Sequence, residues 1–333
     1  MTNSTDIFDH KNILITGGTG SFGNAFAKRL LKDHEKIKKI VVFSRDEYKQ
    51  HVMKNKRPFA NNSKMRFFIG DVRDKERLYR AFEGIDLVIH AAALKQIVSC
   101  EYNPFEAIKT NVYGAQNIIE AAIDRGVEKV VALSTDKACQ PINMYGASKL
   151  SSDKLFIAGN AYVGKKNTSF AVVRYGNVAG SRGSVIPLFK KFIKRKQEFL
   201  PITDKHMTRF WLKLDEAVDL VLEALETMQG GELYVRKIPS VKVTDIAKAI
   251  APKLPLKEVG IRPGEKLHEM MISTDDARNT LEFKNYYIVQ PQFNWWTNNH
   301  SQGTPVAKDF EYHSGNNEQW LSVQQIRKLI SEI

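Results

Sequence analysis

The first half of the chain alternates short apolar runs with stretches of helical period. The runs are four to six residues long and are bounded by polar residues or glycine, which is typical of buried strands. They predict strands at Asn12–Thr16, Lys39–Phe43, Met65–Ile69, Leu87–His90, Val130–Leu133 and Phe170–Arg174. Helices are predicted between them at Ser21–Lys32, Asp74–Phe82, Pro104–Arg125 and Met144–Ala161. This alternation predicts an α/β fold with a parallel sheet covered by helices.

The alternation weakens after about Gly176, where proline, lysine and aromatic residues become more frequent. We predict that residues 1–178 form the sheet domain and that part of residues 205–230 packs back onto it. Residues 179–333 are expected to form mainly a smaller substrate-binding lobe and a C-terminal tail. Helices in this part are predicted at Asp215–Thr227 and Val243–Ala251.

A glycine-rich loop lies between the first strand and the first helix. Three of its glycines are spaced as GxxGxxG, which allows a tight turn and brings the helix N-terminus close to a bound diphosphate. In this strand–loop–helix context the motif predicts a Rossmann-type doubly wound sheet that binds a dinucleotide. The expected binding residues are Gly17, Thr19, Gly20, Ser21, Phe22 and Gly23.

The end of the second strand bears on which dinucleotide is bound. NAD-binding proteins usually place an acidic residue there to hold the ribose 2′-hydroxyl, whereas this chain has Ser44 and Arg45. An arginine suits a 2′-phosphate, so NADP is predicted as the cofactor. The alternative is that Arg45 is merely exposed and Asp46 binds the ribose.

Two further strand ends are expected to contact the same cofactor. Asp71 and Val72 follow the third strand, where a carboxylate can accept a hydrogen bond from the adenine amino group. Ala91, Ala92 and Ala93 follow the fourth strand, and their small side chains leave room for the ligand. His90 is predicted to be buried at that strand end.

Tyr145 and Lys149 are four residues apart in the fourth predicted helix and therefore share one face. An ammonium group beside a phenol stabilises the phenolate, so we predict that Lys149 lowers the pKa of Tyr145. Tyr145 could then accept a hydroxyl proton during hydride transfer.

A second polar group follows the fifth strand, ten residues before the tyrosine. Its side chains are those of Thr135, Asp136 and Lys137. Catalytic residues gather at the carboxyl ends of parallel strands, so we expect these side chains to join Tyr145 in one site. The alternative for Asp136 and Lys137 is a surface ion pair.

Composition changes this interpretation little. The chain has 333 residues, of which 43% are hydrophobic, and its net charge of +13 suits acidic ligands, nucleic acid among them. The densest basic cluster has helical spacing and is interpreted as the solvated face of an amphipathic helix; it comprises Lys190, Lys191, Lys194, Arg195 and Lys196. Cys100 and Cys139 are the two cysteines, with no metal-ligand spacing around them, which predicts a cytoplasmic protein without disulfides. No apolar segment is long enough to predict a membrane span.

The motif series resembles the extended short-chain dehydrogenase/reductase superfamily. The resemblance rests on TGGTGSFG, HAAALK, the KTN of Lys109–Asn111, STDKA, YGASK and RYGNV. STDKA, together with PITD at 201–204, MTRFW at 207–211 and RPGEKLHE at 262–269, is similar to one subgroup, the inverting UDP-N-acetylglucosamine 4,6-dehydratases of bacterial pseudaminic acid synthesis. The similarity extends over nearly the whole chain.

This resemblance implies a reaction in which C4 is oxidised, water is eliminated across C5–C6 and hydride returns to C6. It implies that Tyr145 removes the proton of the C4 hydroxyl. Lys149 would lower the tyrosine pKa, and Thr135 would orient the substrate oxygen. Asp136 is the implied acid at C6 and Lys137 the implied base at C5. A neutral lysine base needs a lowered pKa, which burial and Lys149 are expected to provide. Retaining relatives carry glutamate at the position of Lys137.

The resemblance also suggests residues for the remaining contacts. Asn111 is expected at the cofactor and Lys95 near the sugar, although Lys95 could instead cap a helix. The uridine and the diphosphate are expected to contact Asn177, Arg209, Arg262 and Glu265. For each of these four residues a structural salt bridge is the alternative. The resemblance also implies a homo-oligomer, since relatives often form a helix-paired dimer, and the predicted helices near 104–125 and 144–161 could supply that interface.

One departure from the subgroup leaves alternatives open. The segment 96–104 reads QIVSCEYNP, which resembles dehydratase/C5-epimerases that begin L-sugar pathways of the L-FucNAc type. Those relatives usually lack the catalytic tyrosine, whereas Tyr145 is present here. A UDP-hexose 4-epimerase shares the glycine loop and YxxxK but needs no acid–base pair for elimination. An NADP-binding regulatory or nucleic-acid-binding protein is supported only by the net charge.

Overall fold

The computed structural model describes residues 6–180, 185–293, 296, 300 and 302–332. Its strands are β1 (Asn12–Thr16), β2 (Lys39–Ser44), β3 (Met65–Ile69), β4 (Leu87–His90), β5 (Lys129–Leu133), β6 (Ser169–Arg174), β7 (Asn177–Val178), β8 (Leu200–Ile202), β9 (Thr208–Leu212), β10 (Leu233–Arg236), β11 (Ser240–Lys242), β12 (Leu256–Glu258), β13 (Met270–Ile272), β14 (Thr280–Glu282), β15 (Tyr286–Val289), β16 (Thr304–Pro305) and β17 (Tyr312–His313).

The helices alternate with these strands in the first half of the chain and become sparser later. They are α1 (Ser21–Asp33), α2 (Glu47–Lys54), α3 (Lys75–Ala81), α4 (Ile97–Tyr102), α5 (Pro104–Ile108), α6 (Gly114–Arg125), α7 (Met144–Gly159), α8 (Val185–Lys194), α9 (Leu214–Thr227), α10 (Val243–Ile250), α11 (Thr274–Ala277) and α12 (Val323–Ser331). A π-helical turn occupies Lys109–Tyr113, and a 3-10 turn occupies Asp136–Ala138.

The central sheet has the strand order β16-β14-β15-β10-β6-β5-β4-β1-β2-β3. The strands from β3 to β10 in this order run parallel, and β15, β14 and β16 extend the sheet antiparallel beyond β10. The chain order reverses between β1 and β4, which makes a switch point at the carboxyl ends of these two strands. The predicted α/β fold with a Rossmann-type doubly wound sheet is confirmed.

Buried strands account for this arrangement. Strands β2, β4 and β6 are each almost entirely buried, since they carry apolar side chains toward both faces of the sheet. One apolar cluster lies on the face covered by α3, α6 and α7, and a second lies on the face covered by α1 and α9. A third cluster joins α8, α10 and α12 in the later part of the chain.

The stretch predicted as one helix over Pro104–Arg125 contains a π-helical turn at Lys109–Tyr113. Such a turn inserts an extra residue into the helical ladder, and these turns are frequent at functional sites. Asn111 lies in this turn and is buried. Periodicity of apolar residues does not reveal an insertion of this kind, so the sequence predicted a regular helix.

Helix α9 packs against α1 and the central sheet, where Arg29 Nη2 lies 2.9 Å from Asp219 Oδ1. Four strands from the later part of the chain, β10, β14, β15 and β16, also belong to the central sheet. The division at residue 178 stays a prediction. Helix α8 confirms the amphipathic segment for Lys190, Lys191 and Lys194, which are exposed while Phe189 is buried, whereas Arg195 and Lys196 follow its last residue. Within the described ranges, no helix has the length and apolar character that crossing a bilayer requires.

Candidate active site

A cleft of about 950 Å³ opens at the carboxyl ends of the parallel strands, above the switch point between β1 and β4. Its lining comes from the glycine loop, the ends of β2 to β6, the N-terminal part of α7 and residues of the later segments 176–180, 185–188, 203–214 and 262–269. With the exception of Asn111, every residue predicted for the cofactor, the substrate or the chemistry lines this cleft. The motifs are therefore brought together in one place.

The glycine loop leaves the N-terminus of α1 open toward the cleft. Gly17 has a φ of +64°, and a Cβ atom there would lie 2.8 Å from the backbone nitrogen of Ala92, so the loop requires glycine at this position. Gly20 is the N-cap of α1 and supplies no side chain to the first-turn N–H groups, and that turn has no acidic residue. These N–H groups suit an anionic ligand such as a diphosphate.

At the end of β2, the predicted anion-binding side chains face the cleft. Ser44 is buried and its Oγ accepts a hydrogen bond from Gln50, whereas the side chain of Arg45 is about half exposed. Asp46 is the N-cap of α2: its carboxylate accepts from the backbone N–H of Lys49 at 2.9 Å and pairs with the Lys49 ammonium at 2.6 Å. Asp46 and Lys49 both line the cleft, so Lys49 places a second cation beside Arg45 at the end of β2.

Asp71, after β3, also lies at the cleft. Its carboxylate accepts three hydrogen bonds from Arg73, two of them from the guanidinium. Burial raises the pKa of Asp71, but the hydrogen bonds and charges of Arg73 and Arg45 outweigh burial and hold that pKa below its usual value. Val72, Ala91, Ala92 and Ala93 complete this wall.

Asn111 occupies a position that the sequence did not indicate. Its amide oxygen accepts from the N–H of Leu94 at 2.9 Å, and its amide nitrogen donates to the Leu94 carbonyl and to Ser148 Oγ, both at 2.9 Å. Asn111 therefore joins the loop after β4 to α7 behind the cleft wall. Asn111 is not among the residues that line the cleft, and its contact with the cofactor stays a prediction.

The 3-10 turn that carries Asp136 and Lys137 packs directly on the first turn of α7. A Cβ atom at Gly146 would lie 2.1 Å from the carbonyl oxygen of Lys137, so only glycine allows this contact. Asn143 caps α7 by accepting from the N–H of Gly146 at 2.7 Å, and it donates to the carbonyl of Gly264 at 2.7 Å. The segment 262–269 is thereby tied to the same turn.

Tyr145 lies in the cleft with a pKa raised to about 12, mainly because of burial. The positive charge of Lys137 and a hydrogen bond with Thr135 act in the opposite direction. The prediction of a lowered tyrosine pKa is wrong for the chain alone, because burial outweighs the favourable charge. The cation that lowers this pKa is Lys137, rather than the Lys149 that the helical spacing suggested.

Lys149 is buried in α7, where its charge interacts with that of Asp153. Burial lowers the pKa of its ammonium, and the charge of Asp153, four residues later on α7, raises it. Asp153 accepts from Ser134 Oγ at 2.6 Å and lies 3.3 Å from Arg174 Nη2. His90 is buried as predicted, and burial together with the Lys149 charge lowers its pKa to about 3, so its ring is neutral.

Asp136 and Lys137 form a buried ion pair rather than a surface pair. Asp136 Oδ1 accepts from Lys137 Nζ and from Thr135 Oγ1, both at 2.9 Å, while Oδ2 is buried without a hydrogen-bond partner among the described residues. Burial raises the pKa of Asp136 despite the lysine charge, so this carboxyl holds a proton more readily than usual.

A second carboxylate, Glu269, contacts the same ammonium group. Its Oε1 lies 3.1 Å from Lys137 Nζ and 3.7 Å from Arg209 Nε. Burial lowers the pKa of Lys137, but the charges of Asp136 and Glu269 outweigh it and raise that pKa above its usual value. The prediction that burial and Lys149 lower the pKa of Lys137 is therefore wrong.

All the residues predicted for the substrate line the cleft. Arg209 donates to the carbonyls of Thr208 at 2.7 Å and of Leu267 at 3.2 Å, and Arg262 Nη1 lies 3.8 Å from Glu265 Oε1. Lys95 follows β4, and burial lowers its pKa. Asn177 is exposed at the start of β7. Both arginines take part in internal contacts, and both also face the cleft.

Lys49 and Glu269 were absent from the sequence-based prediction. Lys49 could have been found from Asp46, which is three residues before it and begins a predictable helix cap. Glu269 lies within RPGEKLHE, where the sequence gives several charged residues and no criterion for choosing among them. Glu269 reaches Lys137 because β13, which it immediately precedes, lies against the 3-10 turn in the folded chain.

Comparison with known proteins assigns the chain to a family. The family model described as polysaccharide biosynthesis protein matches residues 13–291. The chain belongs to this family. A UDP-N-acetylglucosamine 4,6-dehydratase (inverting) of Campylobacter jejuni is 52% identical over 98% of each chain. The predicted resemblance is confirmed.

Two other relatives extend the comparison. A UDP-glucose 4-epimerase of Rickettsia prowazekii is 47% identical, with 85% of this chain and 84% of the epimerase covered. The solved structure of Pen from Bacillus thuringiensis is 37% identical and superposes with a TM-score of 0.88 over 98% of this chain and 99% of that one. The fold is therefore shared along nearly the full length of the chain.

Proposed function

We propose that the chain is an NADP-dependent UDP-N-acetylglucosamine 4,6-dehydratase, a hydro-lyase that inverts C5. The product is UDP-2-acetamido-2,6-dideoxy-β-L-arabino-hex-4-ulose. The observation that carries the proposal is the buried pair of Asp136 and Lys137 beside Tyr145 in the cleft. The 52% identity to a full-length relative of that name supports it. A regulatory or nucleic-acid-binding protein would have no use for such buried proton-transfer groups.

The ion pair explains how a lysine with a raised pKa serves as a base. Transfer of one proton from Lys137 Nζ to Asp136 Oδ1, across 2.9 Å, leaves a neutral amine and a neutral carboxylic acid. The raised pKa of Asp136 reduces the cost of this transfer. The pair then holds both groups that an elimination requires, without exchange of protons with solvent.

Elimination returns the pair to its starting ionisation. Lys137 removes the C5 proton, and the electrons of that C–H bond form the C5–C6 double bond. The C6–O bond breaks and its electrons leave with oxygen, which receives the proton of Asp136 and departs as water. Inversion requires that a proton later returns to C5 from the opposite face.

The first step falls to Tyr145. Bound nicotinamide supplies the acceptor for the C4 hydride and the donor for C6. Tyr145 takes the proton of the C4 hydroxyl in its phenolate form, which the positive charge of Lys137 and the hydrogen bond with Thr135 favour against burial. Thr135, which is also hydrogen-bonded to Asp136, orients that hydroxyl. The oxidised C4 acidifies the neighbouring C5–H bond, which makes it a suitable substrate for Lys137.

The cleft residues fit a 2′-phosphorylated dinucleotide. The uncapped first turn of α1 suits the diphosphate, and Ser44, Arg45 and Lys49 suit the 2′-phosphate at the end of β2. Asp46, the acid that would repel that phosphate, is held by its capping bond and by Lys49.

Replacing Arg45 by Ala is expected to weaken NADP binding by about tenfold, since one charge-assisted contact to the phosphate is lost. NAD binding is expected to change less than threefold, because NAD lacks that phosphate. Isothermal titration of each cofactor measures both affinities. Equal losses for NADP and NAD would contradict the assignment of Arg45, and Arg66→Ala on β3 serves as a control for a cation outside the cleft lining.

The substrate is proposed to lie with its sugar at Lys95, Thr135 and Tyr145. Its uridine diphosphate would extend past Asn177, Arg209, Arg262 and Glu265, where two guanidinium groups suit a diphosphate. We further propose a cytoplasmic homo-oligomer that serves pseudaminic acid synthesis. Exposed Val98, Tyr102, Phe105 and Tyr113 on the α4–α6 stretch support a contact between copies.

A UDP-hexose 4-epimerase is the second candidate, favoured by the 47% identical epimerase. Epimerisation at C4 needs Tyr145 and the cofactor but leaves Asp136 and Lys137 without a task. The buried pair therefore favours dehydration.

Proton NMR in deuterated water separates these candidates. The protein is incubated with UDP-N-acetylglucosamine and NADP. We expect a new C6 methyl signal, deuterium at C5 and couplings of the inverted sugar. A methyl signal with retained couplings would overturn inversion, a galacto product without a methyl group would indicate an epimerase, and an unchanged, unbound substrate would exclude the substrate class.

A further inference from the structure

Glu269 is a buried carboxylate for which the proposed reaction has no role so far. It lies immediately before β13, and its side chain is 2% exposed. Its backbone is fixed on both sides: the N–H donates to Ser314 Oγ at 2.9 Å, and the carbonyl accepts from the Ser314 N–H at 2.7 Å. The C-terminal part of the chain therefore places this carboxylate in the cleft.

The two oxygens of Glu269 have different surroundings. Oε1 contacts Lys137 Nζ at 3.1 Å, while Oε2 is buried and has no hydrogen-bond partner among the described residues. The charged groups that face this carboxylate are Lys137 from the 3-10 turn, Arg209 from β9, Lys266 from its own segment and, across Lys137, Asp136. Burying a carboxylate is costly, so its retention here calls for a role in the site.

We propose that Glu269 is a positioning residue that holds the Lys137 amine against Asp136 and sustains the proton that this pair needs for the elimination. The inference rests on the proposed dehydration. Lys137 is a flexible side chain with four methylene groups, and two carboxylates fix its nitrogen far better than one. When the proton of Lys137 has moved to Asp136, Glu269 still accepts a hydrogen bond from the neutral amine and orients its lone pair.

The charge of Glu269 also sets the pH range in which Asp136 and Lys137 share one proton. The elimination needs one proton shared by Asp136 and Lys137. A second proton abolishes the base, and loss of the first abolishes the acid. Because a nearby negative charge favours protonation, Glu269 raises the pH of both transitions. Removing its charge must shift both limbs of the pH profile toward lower pH.

The test compares Glu269→Gln, which keeps the size and removes the charge, with Glu269→Asp, which keeps the charge and shortens the reach. For Glu269→Gln we expect kcat to fall at least tenfold, KM to change less than threefold and both limbs of kcat to move down by about 1–2 pH units. For Glu269→Asp we expect a lower kcat with the limbs in their original positions. Glu282→Gln is the matched control. Glu282 lies on β14, outside the cleft lining, and the substitution removes the charge that pairs with Lys237.

A second measurement needs no turnover. Protein labelled with ¹³C at lysine Cε is titrated by NMR, and the Lys137 signal is identified by its absence in Lys137→Gln. We expect the titration midpoint of Lys137 to fall in Glu269→Gln and to stay high in Glu269→Asp. An unchanged midpoint, or a lower kcat whose pH limbs do not move, would overturn the inference and leave Glu269 a structural residue.

The two proposals fail in different ways. If the unaltered protein forms no methyl product, the dehydratase function is wrong, and the Lys137 midpoint still tests the contact with Glu269. If the unaltered protein is active and Glu269→Gln matches it in kcat and pH profile, only the role of Glu269 is wrong.

Discussion

Lys137→Gln is expected to reduce formation of the methyl product by about 10³-fold, since it removes the base at C5 and general bases contribute factors of 10²–10⁴. Oxidation at C4 should survive, because Tyr145 and Thr135 are untouched. Mixing the variant with substrate and NADP should therefore produce the near-ultraviolet absorbance of reduced nicotinamide, without a methyl signal or deuterium at C5.

The variant leaves Asp136 and Glu269 without their shared cation, so its melting temperature is measured alongside. Both carboxyl groups can take up protons in response, which limits the loss of stability. Lys28→Gln, an exposed lysine on α1, is the matched control and should behave as the unaltered protein. Product formation at a near-normal rate in Lys137→Gln would exclude Lys137 as the base.

Tyr145→Phe is expected to reduce turnover by about 10³-fold because oxidation at C4, rather than elimination, is lost. The C4 hydroxyl then has no proton acceptor, so neither reduced nicotinamide nor methyl product should form. Substrate affinity should change little, since the ring remains and one hydroxyl is lost. Stopped-flow absorbance and NMR together measure the two steps.

This variant and Lys137→Gln are distinguished by the reduced nicotinamide signal, which only the lysine variant should give. Tyr162→Phe, an exposed tyrosine after α7, controls for loss of a phenol elsewhere. Normal appearance of reduced nicotinamide in Tyr145→Phe would show that another group takes the C4 proton.

Six of the seven parallel strands of the central sheet, β1 to β6, were predictable because each is a short apolar run between polar boundaries, whereas the parallel strand β10 was not predicted. The predicted Asn12–Thr16, Met65–Ile69 and Leu87–His90 agree with β1, β3 and β4 at both ends. The glycine loop and the YxxxK motif could be located because local backbone geometry or helical spacing requires their residue types. The antiparallel extension beyond β10 escaped prediction because its strands are two to four residues long and lack a distinctive pattern.

The electrostatics of the site were harder to predict. Sequence spacing places Tyr145, Lys149 and Asp153 on one face of α7, but it says nothing of the depth of their burial. The sign of the Lys137 pKa shift depends on two carboxylates, one adjacent in sequence and one 132 residues away at Glu269. A contact made by such distant residues is set by tertiary structure, so local patterns cannot reveal it.

The contact of Gly146 with the Lys137 carbonyl has a consequence for how the sugar is handled. Tyr145 and Lys137 sit on two backbone segments in direct contact, so the oxidising and eliminating groups keep a fixed spacing. Adjacent ring carbons of the substrate face this fixed pair. We expect the ring to remain in one pose from oxidation to elimination, and a change of the side chain at position 137 to alter the chemistry at C5 without moving the group that acts at C4.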